Sequence, residues 1–298
     1  MKSYINDEFF SRLEALSYSM RKNMNGYFGG KHRVKSYGQT VDFADYREYQ
    51  LGDDIRRIDW NLFARLEKYF IKLFNDERQM HVQIFLDCSA SMGVDPQKAA
   101  YATAVAAGIG FIAIKNMDKV SFNFVHGNHS ENPYGTLIGK RAFLQVVSGL
   151  DKIKFEGEAN FAEAIPNTPN IGRNDGLTVI ISDFFTENDW HNAVDFLCFK
   201  KRQVLLMQVL TKAEIDPLSV GKYDLIDSES VDSADTRNMK VHVTRSLQSA
   251  YKDALRSIIK EIRDFCISRD VDFISINTDM QIEQMLFSEF LRADMKVI

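Results

Sequence analysis

Short apolar runs alternate with helix-like stretches along most of the chain. Five runs have the length and composition of buried strands: residues 81–87, 119–126, 177–182, 203–210 and 271–276. Longer stretches with helical patterns lie between them: residues 96–116, 140–149, 187–200 and 246–269. Strands that alternate with helices predict an α/β fold with a mainly parallel sheet and helices on both faces.

The two ends of this pattern predict a division of the chain. Residues 3–22 have apolar residues at the spacing of an amphipathic helix, and 53–66 and 68–76 predict a short helix and a strand. We expect residues 1–78 to form an N-terminal extension and 79–298 to form the main domain. Residues 211–245 interrupt the alternation, and we interpret them as a surface excursion with small strands at 222–227 and 239–244.

Composition narrows the class of protein. Of the 298 residues, 45% are hydrophobic, and the net charge of −4 does not favour nucleic acid as a partner. No window reaches the ~18 apolar residues of a membrane span, and the first residues lack the apolar core of a signal peptide. The three cysteines are far apart, which is typical of reduced thiols in the cytoplasm.

Candidate chemistry lies where the first buried strand ends. The run HVQIFLDCSASMG ends its strand at Asp87 and continues with Ser89 and Ser91. A carboxylate and two hydroxyls are oxygen ligands of the kind that Mg²⁺ or Mn²⁺ prefers. The same residues also suit a turn that caps the following helix, and this second interpretation stays open.

A second strand, 177–182, is followed by Asp183. If the two strands are neighbours, both carboxylates lie above one edge of the sheet, where open α/β sheets present their ligands. We therefore predict a cation site formed by Asp87, Ser89, Ser91 and Asp183.

Two parts of the sequence resemble known families. The pattern Asp87-x-Ser89-x-Ser91 resembles the metal-ion-dependent adhesion site of von Willebrand factor A domains. The string DFADYREYQLGDDIRRIDWNLFARLEKYFIKLFNDE, residues 42–77, resembles the signature of the bacterial domain-of-unknown-function 58 family. The matching pieces are Tyr46-Arg47, Gly52-Asp53, Arg57, Asp59-Trp60 and Ala64-Arg65, and later Ser182-Asp183-Phe184 and Glu214-x-Asp216-Pro217.

The resemblance implies a von Willebrand A-like fold without a known catalytic activity. It also implies a partnership with MoxR-type AAA+ ATPases, beside which such proteins are often encoded. We therefore expect a non-catalytic adaptor, acting on an unknown client protein in the assembly or maturation of protein complexes. Many family members have two membrane helices near the N-terminus, whereas this chain has an amphipathic helix there, so we expect a cytoplasmic form.

One departure from the adhesion-site pattern concerns the metal. The loop that supplies a threonine ligand in von Willebrand A domains matches Gly157-Glu158-Ala159-Asn160-Phe161, and Ala159 stands at the threonine position. Alanine offers no side-chain oxygen, so the resemblance implies a degenerate site. Asn160 is the remaining candidate ligand from this loop, directly or through water.

The signature at 42–77 has two interpretations. Its acids and arginines suit ion pairs that fasten the segment together, with Trp60 and Phe63 as apolar anchors. The same residues also suit a docking surface for the ATPase. The docking candidates are Arg47, Asp53, Arg57, Asp59, Trp60 and Arg65.

The enzyme alternative is a metal-dependent phosphohydrolase that uses Asp87 as its nucleophile. Haloacid dehalogenase-like phosphatases need a second acid two residues further on, where this chain has Ser89. A Cys88 thiolate phosphatase would need an arginine six residues later, where Val94 stands. The chain contains no GxxxxGK[ST] loop, so we do not expect it to hydrolyse ATP.

Overall fold

The chain folds into two compact units in a computed structural model. The larger unit contains residues 1–23 and 80–298, and the smaller contains 24–79. The first helical segment therefore groups with the main sheet, which differs from the predicted division at residue 78. The structure describes the following residues: 4–21, 43–74, 79–169, 171, 176–185, 189–216, 221–226 and 238–286.

The larger unit alternates strands and helices, as predicted. Its described helices are α1 (Asp7–Arg21), α3 (Ala90–Gly93), α4 (Pro96–Lys115), α5 (Gly139–Leu150), α6 (Phe161–Ala164), α7 (Trp190–Phe199), α8 (Lys212–Ile215) and α9 (Arg245–Ser268). Its described strands are β3 (His81–Asp87), β4 (Lys119–His126), β5 (His129–Glu131), β6 (Leu137–Ile138), β7 (Leu177–Ser182), β8 (Gln203–Leu210), β9 (Gly221–Ile226), β10 (Asn238–Val243) and β11 (Asp272–Asn277).

The central sheet has the strand order β11-β8-β7-β3-β4-β5, with β6 also paired to β4. The five long strands are parallel to their neighbours, and only the short β5 and β6 are antiparallel. This confirms the predicted mixed α/β fold with a mostly parallel sheet flanked by helices. Strand β4, the next strand along the chain, lies on one side of β3, and the later strands β7, β8 and β11 lie on the other side of β3. The order therefore reverses between β3 and β7.

Helix α4 forms the middle of one face. Asp95 caps it by accepting a hydrogen bond from the backbone of Gln97, and Pro96 occupies its first turn. Residues 101–114 are all buried, because α1 covers the side of α4 that faces away from the sheet. Among the described residues, α4 alone is long and apolar enough to cross a membrane, and 83% of that stretch is buried inside the protein.

The opposite face contains a second apolar layer. Its core joins side chains from β7 and β8 to α6, α7 and α9, with Phe184 and Trp190 at its centre. The predicted strand excursion is present as the antiparallel pair β9–β10, which forms a separate two-stranded sheet. The stretch Gly127 to Gly135, which the sequence predicts as a turn region, contains β5, and β6 follows it; both strands are too short to leave a clear alternation in the sequence.

The smaller unit is built on an antiparallel pair of strands. Strand β1 (Phe43–Glu48) pairs with β2 (Phe70–Phe74), and helix α2 (Trp60–Leu66) lies between them in the chain. Asp59 caps α2 by accepting hydrogen bonds from the backbone of Asn61 and Leu62. The predicted helix at 53–66 is thus two pieces, because a short 3-10 turn at Ile55–Arg57 precedes α2.

A buried arginine holds the amino ends of the central strands together. Arg202 donates to the carbonyl oxygens of His81 and Leu177 and to the hydroxyl of Thr178. Gly176 makes room for it, since a Cβ there would lie 2.5 Å from a guanidinium nitrogen. The neighbouring ring of His81 lies 2.8 Å from the hydroxyl of Ser121.

The environment of His81 predicts a specific acid sensitivity. Burial, with the positive charges of Arg202 and Lys119, lowers the pKa of His81 to about 4. As pH falls below about 6.5, the unfolded chain takes up a proton at this position while the folded chain does not, so stability is lost down to about pH 4. Between neutral pH and about pH 4, this effect should lower the free energy of unfolding of the wild type by about 1–2 kcal/mol, less than the pKa difference alone implies because His81 is partly solvated. We expect His81→Gln to lack this decrease.

Urea unfolding from pH 7.5 to pH 4.5 measures this effect. His129→Gln, at an exposed position, is the matched control. Equal acid sensitivity of wild type and His81→Gln would contradict the assignment of the loss to His81.

Candidate functional site

The two acids predicted at strand ends lie side by side. Strands β3 and β7 are hydrogen-bonded neighbours, and Leu86 is paired with Ile181, so Asp87 and Asp183 emerge at the same carboxyl edge. This edge is also where the strand order reverses, the usual position of ligand sites in open α/β sheets. The sequence therefore predicted correctly which strands meet here.

Asp87 is buried and hydrogen-bonded on both carboxylate oxygens. Its side chain is 3% exposed; one oxygen accepts from the backbone of Ser89 at 2.9 Å, and the other accepts from the hydroxyl of Ser182. Burial and the nearby charge of Asp183 raise the pKa of Asp87 to about 6, although the hydrogen bonds from Ser182 and Ser89 oppose this rise. Asp87 is thus an internal acceptor at the end of its strand.

The two predicted hydroxyl ligands lie close together. The Oγ atoms of Ser89 and Ser91 are 3.1 Å apart, Ser89 is buried, and Ser91 is half-buried. Adjacent oxygens around an octahedral Mg²⁺ lie about 3 Å apart, so this pair alone has a spacing that a cation accepts. It supplies only two neutral oxygens.

Asp183 is also fully engaged. One of its carboxylate oxygens accepts from the backbone of Phe185 at 3.0 Å, and the other accepts from the ammonium of Lys98 at 2.8 Å. The side chain of Gln208 donates to the backbone carbonyl of Asp183 at 3.0 Å. These bonds hold the turn after β7, in which Phe184 takes a left-handed conformation with φ 57°.

Lys98 is the functional residue that the sequence reasoning missed. It lies in the first turn of α4, is 1% exposed, and contacts Asp183 and Glu214, whose carboxylate is 2.7 Å from the ammonium. Burial opposes the charge of Lys98, but the carboxylates of Asp183 and Glu214 outweigh it and hold its pKa above the ordinary value. The available signal was a lone lysine near the start of an otherwise apolar, Ala-rich helix.

Glu214 is fixed by the elements around it. It forms a capping box with Thr211 at the start of α8: its second oxygen accepts from the backbone of Thr211 at 2.7 Å, and the Thr211 hydroxyl accepts from the backbone of Glu214. The hydroxyl of Tyr251, on α9, donates to the backbone carbonyl of Glu214 at 2.8 Å. We call Lys98, Asp183 and Glu214 the lysine cluster.

The loop at 156–160 lies against α3 but offers little to a cation. Its backbone is fastened by hydrogen bonds from Ala90 to Gly157 and from Glu156 to Cys88. Ala159 is buried, and Asn160 uses its side chain to cap α6 at Glu163 and to donate to Asn128. Direct ligation by Asn160 stays a prediction, and the structure gives its amide a different role.

These contacts do not fit a conventional divalent site. Asp183 is neutralised by an ammonium, Ala159 has no side-chain oxygen, and the carboxylate of Asp87 already accepts two hydrogen bonds. In the described part of the chain, no group of three or more His, Cys, Asp or Glu side chains is placed to hold a metal ion. The edge is therefore a hydrogen-bonded polar cluster with its own cation.

The docking candidates on the smaller unit divide into two groups. Arg47 forms a salt bridge with Asp53, at 2.8 and 2.9 Å to the two carboxylate oxygens, and Asp59 pairs with Lys72 at 3.0 Å in addition to capping α2. These acids and arginines therefore hold the unit together. In contrast, Trp60 is 58% exposed.

Arg65 is exposed in the last turn of α2, and the side chain of Arg57 lies outside the described residues. Trp60, Phe63 and Tyr69 contact one another, and Tyr49 contacts Tyr69. Trp60 and Tyr69 are exposed in this aromatic cluster, whereas Phe63 and Tyr49 are half-buried.

Fold and site together define a mixed α/β protein with a polar cluster at the carboxyl edge of a mostly parallel sheet. A family described as "Protein of unknown function DUF58" matches residues 45–257. This match spans more than half of the chain, so the chain belongs to the DUF58 family, as the signature at 42–77 predicted.

The chain is similar to uncharacterized proteins of mycobacteria. The uncharacterized proteins Rv1480 of Mycobacterium tuberculosis and Mb1516 of Mycobacterium bovis are each 25% identical over 225 residues, which is 73% of this chain and 70% of theirs. Solved structures with a partial likeness include an aerotolerance-related membrane protein from Bacteroides fragilis (TM-score 0.40, 14% identity, 73% of this chain and 99% of that one).

The pilus adhesin SpaC from Lactobacillus rhamnosus GG is a second such structure (TM-score 0.40, 9% identity, 74% of this chain and 31% of that one). Likenesses at this level support no argument about function.

Ser182 is buried at this edge of the sheet, whereas Ser91 is half-buried, so the loss of each hydroxyl should have a different effect on stability. Ser182→Ala removes the hydrogen bond to Asp87 and the acceptor for the backbone of Phe184, in a fully buried place. We expect a loss of about 1–3 kcal/mol in the free energy of unfolding. The matched control Ser91→Ala removes a half-buried hydroxyl and should cost less than about 1 kcal/mol. Urea unfolding measures both, and equal costs would contradict the distinction.

Proposed function

We propose that this protein is a non-catalytic, cytoplasmic interaction protein with a von Willebrand A-like domain. Its proposed partners are a MoxR-type AAA+ ATPase and a client protein, and its proposed role is in the assembly or maturation of protein complexes. Membership of the DUF58 family supports the proposal, because the expected partnership comes from the resemblance to that family. The three free thiols, Cys88, Cys198 and Cys266, suit a reducing compartment.

The exposed aromatic cluster of the smaller unit is the observation that carries the proposal. Trp60 (58% exposed) is in ring contact with Tyr69 (48% exposed), and contiguous apolar surface of this kind marks interaction sites when the patch is large. Trp and Tyr are also enriched among the residues that dominate binding energy at protein interfaces. We therefore place the docking surface for the ATPase on Trp60 and Tyr69, and we keep Arg65, in the last turn of α2, as a further candidate contact.

The ion pairs of the same unit give the surface a fixed shape. The Arg47–Asp53 pair links β1 to the segment that precedes the 3-10 turn, and the cap formed by Asp59 fixes the start of α2. A surface that is rigid before binding loses less conformational entropy when a partner binds. In this proposal Arg47, Asp53 and Asp59 position the docking surface, and Trp60 and Arg65 contact the partner.

The carboxyl edge of the sheet supports the non-catalytic part of the proposal. A nucleophilic Asp87 would have to present an oxygen to a substrate, whereas Asp87 is buried and accepts hydrogen bonds on both oxygens. Burial also raises the pKa of the Cys88 thiol, which disfavours the thiolate that a cysteine nucleophile needs. No described contact favours the phosphohydrolase alternative. Because a divalent cation does not fit the edge, no step of the proposed function depends on Mg²⁺ or Mn²⁺.

Substitution of the exposed tryptophan tests the docking surface. Trp60→Ala should reduce binding to the proposed partner, a MoxR-type ATPase, at least about tenfold, which corresponds to about 1.4 kcal/mol of binding free energy. The thermal unfolding midpoint should change little, because the ring is more exposed than buried. Binding is measured by surface plasmon resonance with the purified ATPase.

Phe199→Ala is the matched control, since Phe199 is another exposed ring (82%) but lies on the larger unit. Unchanged affinity in Trp60→Ala would contradict the docking surface. Clear phosphatase turnover with Mn²⁺ that Asp87→Asn abolishes would overturn the non-catalytic assignment.

A further inference from the structure

The lysine cluster contains Asp183, one of the four residues predicted to hold a metal ion, and pairs it with an ammonium. Lys98 enters it from α4, Asp183 from the end of β7, and Glu214 from α8. We propose that the ammonium group of Lys98 takes the place of a divalent cation on the Asp183 carboxylate, so that this part of the edge is assembled without metal. The Lys98 contacts lie within the chain and do not require the proposed partner.

The distances support a cation role for the ammonium. Its nitrogen lies 2.8 Å from Asp183 and 2.7 Å from Glu214, which is the range of charge-assisted hydrogen bonds. Lys98 is almost fully buried, so this charge is not shared with bulk water. A buried ammonium is stable only when it is paired and hydrogen-bonded, and here two carboxylates from separate elements provide the pairing.

The same contacts exclude a metal ion from the place that the sequence predicts for it. A divalent ion on the Asp183 carboxylate would lie within a few ångströms of the Lys98 ammonium, and the two positive charges would repel each other in a weakly solvated place. The other oxygen of Asp183 already accepts from the backbone of Phe185. The loop at 156–160 offers no compensating side-chain oxygen at Ala159.

The use of a lysine ammonium instead of a metal ion has a structural consequence. A metal ion can leave the protein, whereas the ammonium of Lys98 is covalently attached to α4 and is always present beside its partners. Lys98 therefore fixes the start of α4 to the end of β7 and to α8, and Tyr251 extends this connection to α9. Lys98 is in this sense a positioning residue, and its effect should not vary with the concentration of divalent cations.

Removal of the internal cation tests the inference. Lys98→Met approximately keeps the length of the side chain but leaves Asp183 and Glu214 without their ammonium. We expect wild type to show no Mn²⁺ binding at submillimolar concentrations by electron paramagnetic resonance, and EDTA should not change its unfolding temperature. Lys98→Met should bind one Mn²⁺ per chain, with a lower unfolding temperature than wild type that added Mn²⁺ raises. Lys98→Met/Asp183→Asn should lose this binding.

Lys115→Met is the matched control, because it removes a lysine from the opposite end of α4, where the lysine pairs with Glu14 near the surface. It should behave as wild type towards Mn²⁺. If Lys98→Met fails to fold without metal, refolding in Mn²⁺ should recover it, and Lys98→Met/Asp183→Asn/Glu214→Gln should fold without metal. Stoichiometric Mn²⁺ binding by wild type would overturn the proposal, as would a Lys98→Met variant that neither binds Mn²⁺ nor is recovered by it.

Discussion

The ammonium of Lys98 between the carboxylates of Asp183 and Glu214 is the interaction on which the carboxyl edge depends. Lys98 and Asp183 are buried, and each loses several kcal/mol of hydration, which only a close opposite charge and good hydrogen bonds offset; Glu214 is partly exposed and loses less. Removal of one member of such a buried set typically costs about 3–5 kcal/mol, because the remaining charge has no partner. The cluster therefore makes the ends of β7, α4 and α8 interdependent, although these elements are distant in sequence.

The two units present opposite kinds of surface. At the carboxyl edge of the larger unit, the acids are turned inwards and paired, and hydroxyls of Ser89 and Ser91 remain beside them. On the smaller unit, Arg47 is paired with Asp53 and Lys72 with Asp59, and Trp60 and Tyr69 are exposed. The acids predicted to bind a cation thus form internal structure, whereas Trp60, which was expected to be an apolar anchor, is exposed.

Sequence pattern was sufficient for the elements that are long and buried on both faces. Strands β3, β4, β7 and β8 begin and end where their apolar runs do, and the two acidic strand ends are neighbours as inferred. Lys98 could not be assigned in the same way, because its partners lie 85 and 116 residues away. A lysine in a helix usually faces water, and only the tertiary fold shows that this one is buried. The sequence predicted that acids and arginines of the signature form ion pairs, but not which residues pair. The exposure of Trp60 could not be predicted, because it depends on how α2 packs.

The pairing of Asp183 with Lys98 is consistent with the presence of Ala159 at the threonine position. When an ammonium neutralises Asp183, a metal-ligating oxygen at residue 159 has no ion to bind. The most direct measurement is a crystal structure of the wild-type protein grown in MnCl₂, with anomalous scattering collected to locate manganese. The account predicts no manganese peak near Asp87, Ser89 and Ser91, and the Lys98 nitrogen within hydrogen-bond distance of Asp183 and Glu214. A manganese peak bound by these side chains, with Lys98 displaced from Asp183, would contradict it.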